Sequence, residues 1–142
     1  MDETYEQIYK HFVDVAEKLA GKGPTYGLDL EKVCTNTFGD KFSGVFAADT
    51  IPKKFIYCIA NLDTHDKPGS HWVAIARTMG DEYMVYDSFG RRTTSILHDL
   101  DLKTIDTEHD AEQKDHEDNC GARCLAWLIV YDIFGADVAV TI

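Results

Sequence analysis

The sequence predicts an α+β arrangement, with helices packed on an antiparallel β-hairpin in one domain spanning residues 1–142. Three observations carry this expectation. First, Cys120–Phe134 is an almost unbroken apolar run, with Arg123 and Asp132 its only charged side chains. Asn119 before it is a good N-cap and Gly135 after it a natural stop, so the run reads as a helix roughly 22 Å long. A helix apolar nearly all round is packed on several sides. Second, residues 71–77 (H-W-V-A-I-A-R) and 82–87 (E-Y-M-V-Y-D) read as two strands joined through a Gly-containing turn. Third, Tyr5, Ile8, Tyr9, Phe12, Val13, Ala16 and Leu19 recur at three- and four-residue spacing. That spacing predicts an amphipathic helix over Glu3–Ala20.

Between these elements the signals are shorter. Residues 21–27 are loop, 28–36 a short helix, 39–44 a turn and 46–52 an extended connection. Residues 54–60 (K-F-I-Y-C-I-A) are a strand with apolar residues on both faces, and 61–70 form a polar loop closing on Pro68-Gly69. A three-residue loop Thr78-Met79-Gly80 would pair Ile75 with Tyr83, Val73 with Val85 and His71 with Asp87. His71 and Asp87 would then share the apolar face of Val73, Ile75, Tyr83 and Val85, against which the Cys120 helix is expected to pack. A one-residue slip would separate them onto opposite faces. Residues 93–102 are expected to be a short helix and 137–142 a terminal strand.

Composition narrows the function. The net charge is −11, with a dense acidic run from Asp99 to Asp118. This argues against nucleic acid or an anionic membrane as partner, since both need a basic patch. There is no secretory signal pattern and no apolar stretch long enough to span a bilayer, so an intracellular protein is expected. Cys34, Cys58, Cys120 and Cys124 are accordingly expected to be reduced thiols.

Cys120 would open the buried helix, where free backbone N–H groups and the macrodipole favour an anion. A buried structural cysteine is the commoner reason for a thiol in such a place. A cysteine nucleophile also needs an imidazole to carry the proton, a third group to orient that imidazole, and a donor for the oxyanion. His71 and Asp87 at the open end of the hairpin fit the first two parts. Gln113, seven residues before Cys120, fits the last, together with the Cys120 N–H. Glu117 and Asp118 oppose an anion at Cys120 and are expected to point to solvent, leaving His71 dominant.

The ordered set G-S-H-W-V-A-I-A, Y-D-S-F-G and Q-x₆-C-G resembles the adenovirus-type maturation cysteine proteases. In particular it is similar to the adenain-like enzymes of virophages, polinton-type elements and large DNA viruses. These belong to a clan with the Ulp-type proteases that cleave SUMO-like proteins. The resemblance covers residues 55–134, with a weaker echo in F-S-G-V-F-A-A-D-T-I-P at 42–52. It implies a permuted papain-like fold, in which a central helix carrying the cysteine packs on a mostly antiparallel sheet. It implies His71 as general base and acid, Asp87 as orienting carboxylate, Cys120 as nucleophile and Gln113 as oxyanion donor, with Trp72 walling the substrate site. No cofactor is implied. The implied partners are protein substrates, either viral capsid and precursor proteins or a ubiquitin-like modifier, and an activating peptide. The setting would be the host cytoplasm or nucleus, and the virion.

A reading from another class is a metal-binding interaction domain built on His109, His116, Cys120 and Cys124. Three of these fall on one helical stripe, but structural zinc sites use tighter C-x₂₋₄-C knuckles on loops. Elemental analysis of the purified protein is expected to find far less than one zinc per chain; a stoichiometric amount would favour the metal reading.

Overall fold

The amphipathic repeat of the first twenty residues forms α1 (Glu3–Ala20), which buries Tyr9, Val13 and Ala16. In the computed structural model, residues 3–20, 27–47, 49–61, 72–78, 82–88, 103–107 and 120–142 are described. After α1 come α2 (Gly27–Phe38), a 3₁₀ turn (Gly39–Lys41), β1 (Phe42–Phe46), β2 (Tyr57–Asn61), β3 (Trp72–Arg77), β4 (Tyr83–Tyr86) and β5 (Thr104–Asp106). The apolar run forms α3 (Cys120–Phe134), followed by the short α4 (Ala136–Ala139). The first and last residues of α1 and α3 are those read from sequence. The expected helix at 93–102 lies outside the described residues.

The architecture is α+β, an open five-stranded sheet with helices packed on it, in the order β1-β2-β3-β4-β5. The sheet is mixed, which corrects the expectation of mostly antiparallel pairing. β2–β3 and β3–β4 are antiparallel, whereas the outer pairs β1–β2 and β4–β5 are parallel. The connections 47–56 and 87–103 are long enough to carry the chain back to its starting end, which a hairpin turn cannot do. β1 lies where a turn and a connection were expected. Its pairing is interrupted between Phe42 and Val45, around Gly44 at φ +142°. A residue in that backbone region interrupts the alternation that sequence reading relies on.

The β3–β4 register corrects the hairpin. Ala74 pairs with Tyr86, Ile75 with Val85, Ala76 with Met84 and Arg77 with Tyr83, two positions from the expected partners. The cause is a one-residue displacement of the loop. The Thr78 N–H donates to the Glu82 carbonyl at 2.7 Å, so the three connecting residues are 79–81 rather than 78–80. A two-residue shift keeps every side chain on its own face.

The face itself is also corrected. Val73, Ile75, Tyr83 and Val85 pack with Ile51, Phe55, Cys58 and Ala60 in one core. α3 packs on the opposite face, against Ile59, Ala74, Ala76, Met84 and Tyr86, with α1 closing over it. The sheet is thus buried on both sides, and its three central strands are buried almost throughout.

The C-terminal residues do not form the expected strand. Gly135, at φ +87°, ends α3, and α4 turns back so that Ile142 is fully buried. The Trp127 indole N–H donates to the Ala139 carbonyl at 3.0 Å and fixes that turn. Alternation in D-V-A-V-T-I yields to this tertiary contact.

Trp127 is fully buried and stacks on Tyr86, with ring centroids 5.5 Å apart and planes 7° apart. Trp127→Ala is expected to cost about 3–5 kcal/mol of stability. Urea unfolding should show a lower midpoint with an unchanged slope.

Candidate active site

Sheet topology sets up one end of the molecule. The carboxyl ends of β1, β2, β4 and β5 and the amino end of β3 lie together. α3 is tied to the opposite end by its second half. The Tyr131 hydroxyl donates to the carbonyl of Arg77, the last residue of β3, at 3.0 Å. The Tyr57 hydroxyl, from the first residue of β2, donates to Asp132 at 2.8 Å. The N-terminus of α3 therefore points toward the end where β2 and β4 finish and β3 starts.

Cys120 is the first residue of α3 and is 8% exposed. The first four N–H groups of a helix lack intrahelical acceptors, and they carry the positive end of its dipole. Asp87 follows directly on β4 and is 4% exposed, and Ser88 after it is fully buried. Because the ladder stops at Tyr86, strand alternation no longer governs the direction of Asp87.

Cys124 links the two. It lies one turn along α3 and is fully buried, and burial pushes its thiol well above the ordinary range. Cys120, Asp87 and Cys34 push it further. A charge on Cys120 or Asp87 would oppose a thiolate at that sulfur.

Trp72, the first residue of β3, is half-buried against the core that contains Ala122 and Cys124. His71 and Gln113 lie outside the described residues, as do Glu117, Asp118, His109 and His116. The expected opposition of His71 and Asp87 therefore lies outside the described residues as well.

Sequence reading missed two features of this end. Asn61, taken as the first loop residue, is the last residue of β2, pairs with Trp72 and is buried. Nothing in its neighbours marks it, since a strand boundary is the least legible part of a strand. Tyr9, Tyr86 and Arg123 form a polar contact beneath the helix start. In the sequence these tyrosines read only as core.

All four cysteines are free and buried. Among the described residues, no group of three His, Cys, Asp or Glu could hold a metal ion. Among them also, no helix is long and apolar enough to cross a membrane. A cavity of about 550 Å³ lies at the far end of α3, lined by Ile56, Arg77, Tyr131 and Phe134. It is remote from Cys120.

The chain matches no protein-family model and no curated protein.

Burial sorts the thiols. It pushes Cys34 up to about 12 and Cys58 and Cys124 well above their ordinary value. A raised thiol pKa means protonated sulfur at pH 8; for Cys34 about one molecule in ten thousand carries the thiolate there. Iodoacetamide added to the native protein at pH 8 is expected to modify Cys120 first. Mass-spectrometric mapping that finds Cys34, Cys58 or Cys124 modified first would contradict this order.

Proposed function

We propose that the protein is a cysteine endopeptidase of the permuted papain-like type, with Cys120 as its nucleophile. The observation that carries this reading is geometric: Cys120 opens a buried helix whose N-terminus points to the end of the sheet where β4 finishes, and the buried Asp87 follows β4 directly. A thiol and a carboxylate so arranged leave room in the scheme for one imidazole between them. His71, next to Trp72 in the chain, supplies it. The reading requires the His71 imidazole to lie within hydrogen-bond reach of both Asp87 and the Cys120 sulfur.

In this mechanism the Cys120 thiolate attacks the scissile carbonyl carbon, and the carbonyl π electrons move to oxygen. The oxyanion is held by the Cys120 backbone N–H and the Gln113 amide. The imidazolium of His71 gives its proton to the departing amine, and the C–N bond breaks to leave a thioester on Cys120. His71 then takes a proton from water, hydroxide adds to the thioester, and the carboxylic acid leaves as the thiolate returns. Asp87 keeps the imidazole in the required tautomer. Trp72 walls the cleft, and substrates with small residues beside the cut fit it best. The natural substrates we propose are capsid or precursor proteins of a virus or virus-like element.

Cys120→Ala is expected to abolish cleavage of a library of internally quenched peptides with Gly before the cut, and of candidate capsid precursors. Cleavage at the wild-type rate would end the protease reading. Asp87→Asn should retain the fold and lower kcat by roughly 10²–10⁴, as an orienting carboxylate does when it can no longer select the tautomer. Activity should fall on the acid side across the imidazole range, because a protonated His71 cannot accept the thiol proton.

A further inference from the structure

The proposed chemistry needs Cys120 and Asp87 held at a fixed separation, although they stand on different elements. Hydrophobic burial alone sets such a separation loosely, because it has no direction. Three polar side chains connect α3 and β4 by way of α1. The hydroxyls of Tyr9 on α1 and Tyr86 on β4 are hydrogen-bonded to each other, and both residues are fully buried. The Arg123 Nη1 donates to the Tyr9 hydroxyl at 3.4 Å. The two tyrosine rings meet edge to face, with centroids 6.1 Å apart, and Tyr86 lies flat on Trp127 of α3.

The positions of these residues in the chain matter. Tyr86 is bonded to Asp87, and Arg123 lies one turn beyond Cys120. Burial, then Tyr9, push the Tyr86 phenol well above its ordinary range, while Arg123 pulls it the other way. Tyr86 therefore stays a neutral hydrogen-bonding group at working pH. Phenylalanine would fill nearly the same space at either tyrosine, so the hydroxyls add direction and little volume.

We propose that Tyr9, Tyr86 and Arg123 are positioning residues that set the start of α3 against the end of β4, and through it Cys120 against Asp87. This rests on the protease reading. None of the three touches substrate in this scheme. Tyr86 acts through the backbone it shares with Asp87, Arg123 through the helix turn that begins at Cys120, and Tyr9 by bonding both.

The experiment measures iodoacetamide alkylation of Cys120 between pH 5.5 and 9, with peptide-library kinetics alongside. The variants are Tyr9→Phe, Tyr86→Phe, the double variant, Arg123→Met and the control Tyr57→Phe. The control removes a hydrogen bond of similar kind at the far end of α3, where Tyr57 meets Asp132. Tyr9→Phe and Tyr86→Phe are expected to slow alkylation about tenfold at pH 6. Their kcat should fall by a similar factor with KM unchanged within twofold. The double variant should be no slower than Tyr9→Phe alone, because that single change already removes both hydrogen bonds. Arg123→Met, at a partly exposed position, keeps the test open if a buried variant fails to fold, and should slow alkylation about threefold. Profiles that overlay the wild type, or an equal slowing in Tyr57→Phe, overturn the positioning role. Cleavage that survives Cys120→Ala overturns the protease reading instead, so the two failures are distinct.

Discussion

A helix with no polar stripe has to be enclosed, and the rest of the structure depends on enclosing α3. Nine of its fifteen residues are buried. The sheet covers one side and α1 another, with α2 and α4 at its flanks. Such burial is strong but has no direction of its own. The two charges of α3 add direction at its ends. Asp132 accepts from Tyr57 and pairs with Lys41 at 3.1 Å, fixing the far end. Arg123 reaches Tyr9 near the thiol end. One pin at each end fixes both the height and the rotation of the helix on the sheet.

The face of the sheet that receives α3 follows from size. Ala74 and Ala76 in the middle of β3 leave room for Trp127 and Tyr131 to approach, whereas Val73 and Ile75 would hold a helix farther off. The bulkier face is closed instead by Ile51, Phe55 and the aromatic pair Phe55–Tyr83, whose centroids lie 4.6 Å apart. Close packing requires this pairing of small residues with large ones. Sequence patterning favours the Val/Ile face because it is more apolar. That choice is reliable for a sheet with one wet side and fails for one buried on both.

Legibility followed the length and purity of the signal. α1 and α3 could be read to the residue because each carries many turns of one pattern and ends at Gly. β1 is broken by Gly44, and β5 is a three-residue strand inside an acidic run, so neither has a period to detect. At the site, the thiol at a helix start and the carboxylate at a strand end were both legible, since their chain context is local. Their register was not, because a three-residue loop begun one position later moves every pair by two. Tyr9 and Tyr86 were illegible for a different reason. A tyrosine at an apolar position has the same period whether its hydroxyl is used or not.

In the proposed protease, position along α3 decides which of its two thiols serves as the nucleophile. An anion at Cys120 meets N–H groups that the helix leaves without acceptors. Four residues on, about 6 Å along the axis, the N–H of Cys124 is the first whose carbonyl partner lies within the helix. Cys124 is fully enclosed, and both Asp87 and Cys120 oppose a negative charge there. The same low dielectric that disfavours a thiolate at Cys124 strengthens any charge-assisted hydrogen bond formed between Asp87 and an imidazole. A buried carboxylate is costly unless it is hydrogen-bonded or paired. In the proposed protease an imidazole would be one such partner for Asp87, which would tie the stability of the sheet end to the proposed chemistry.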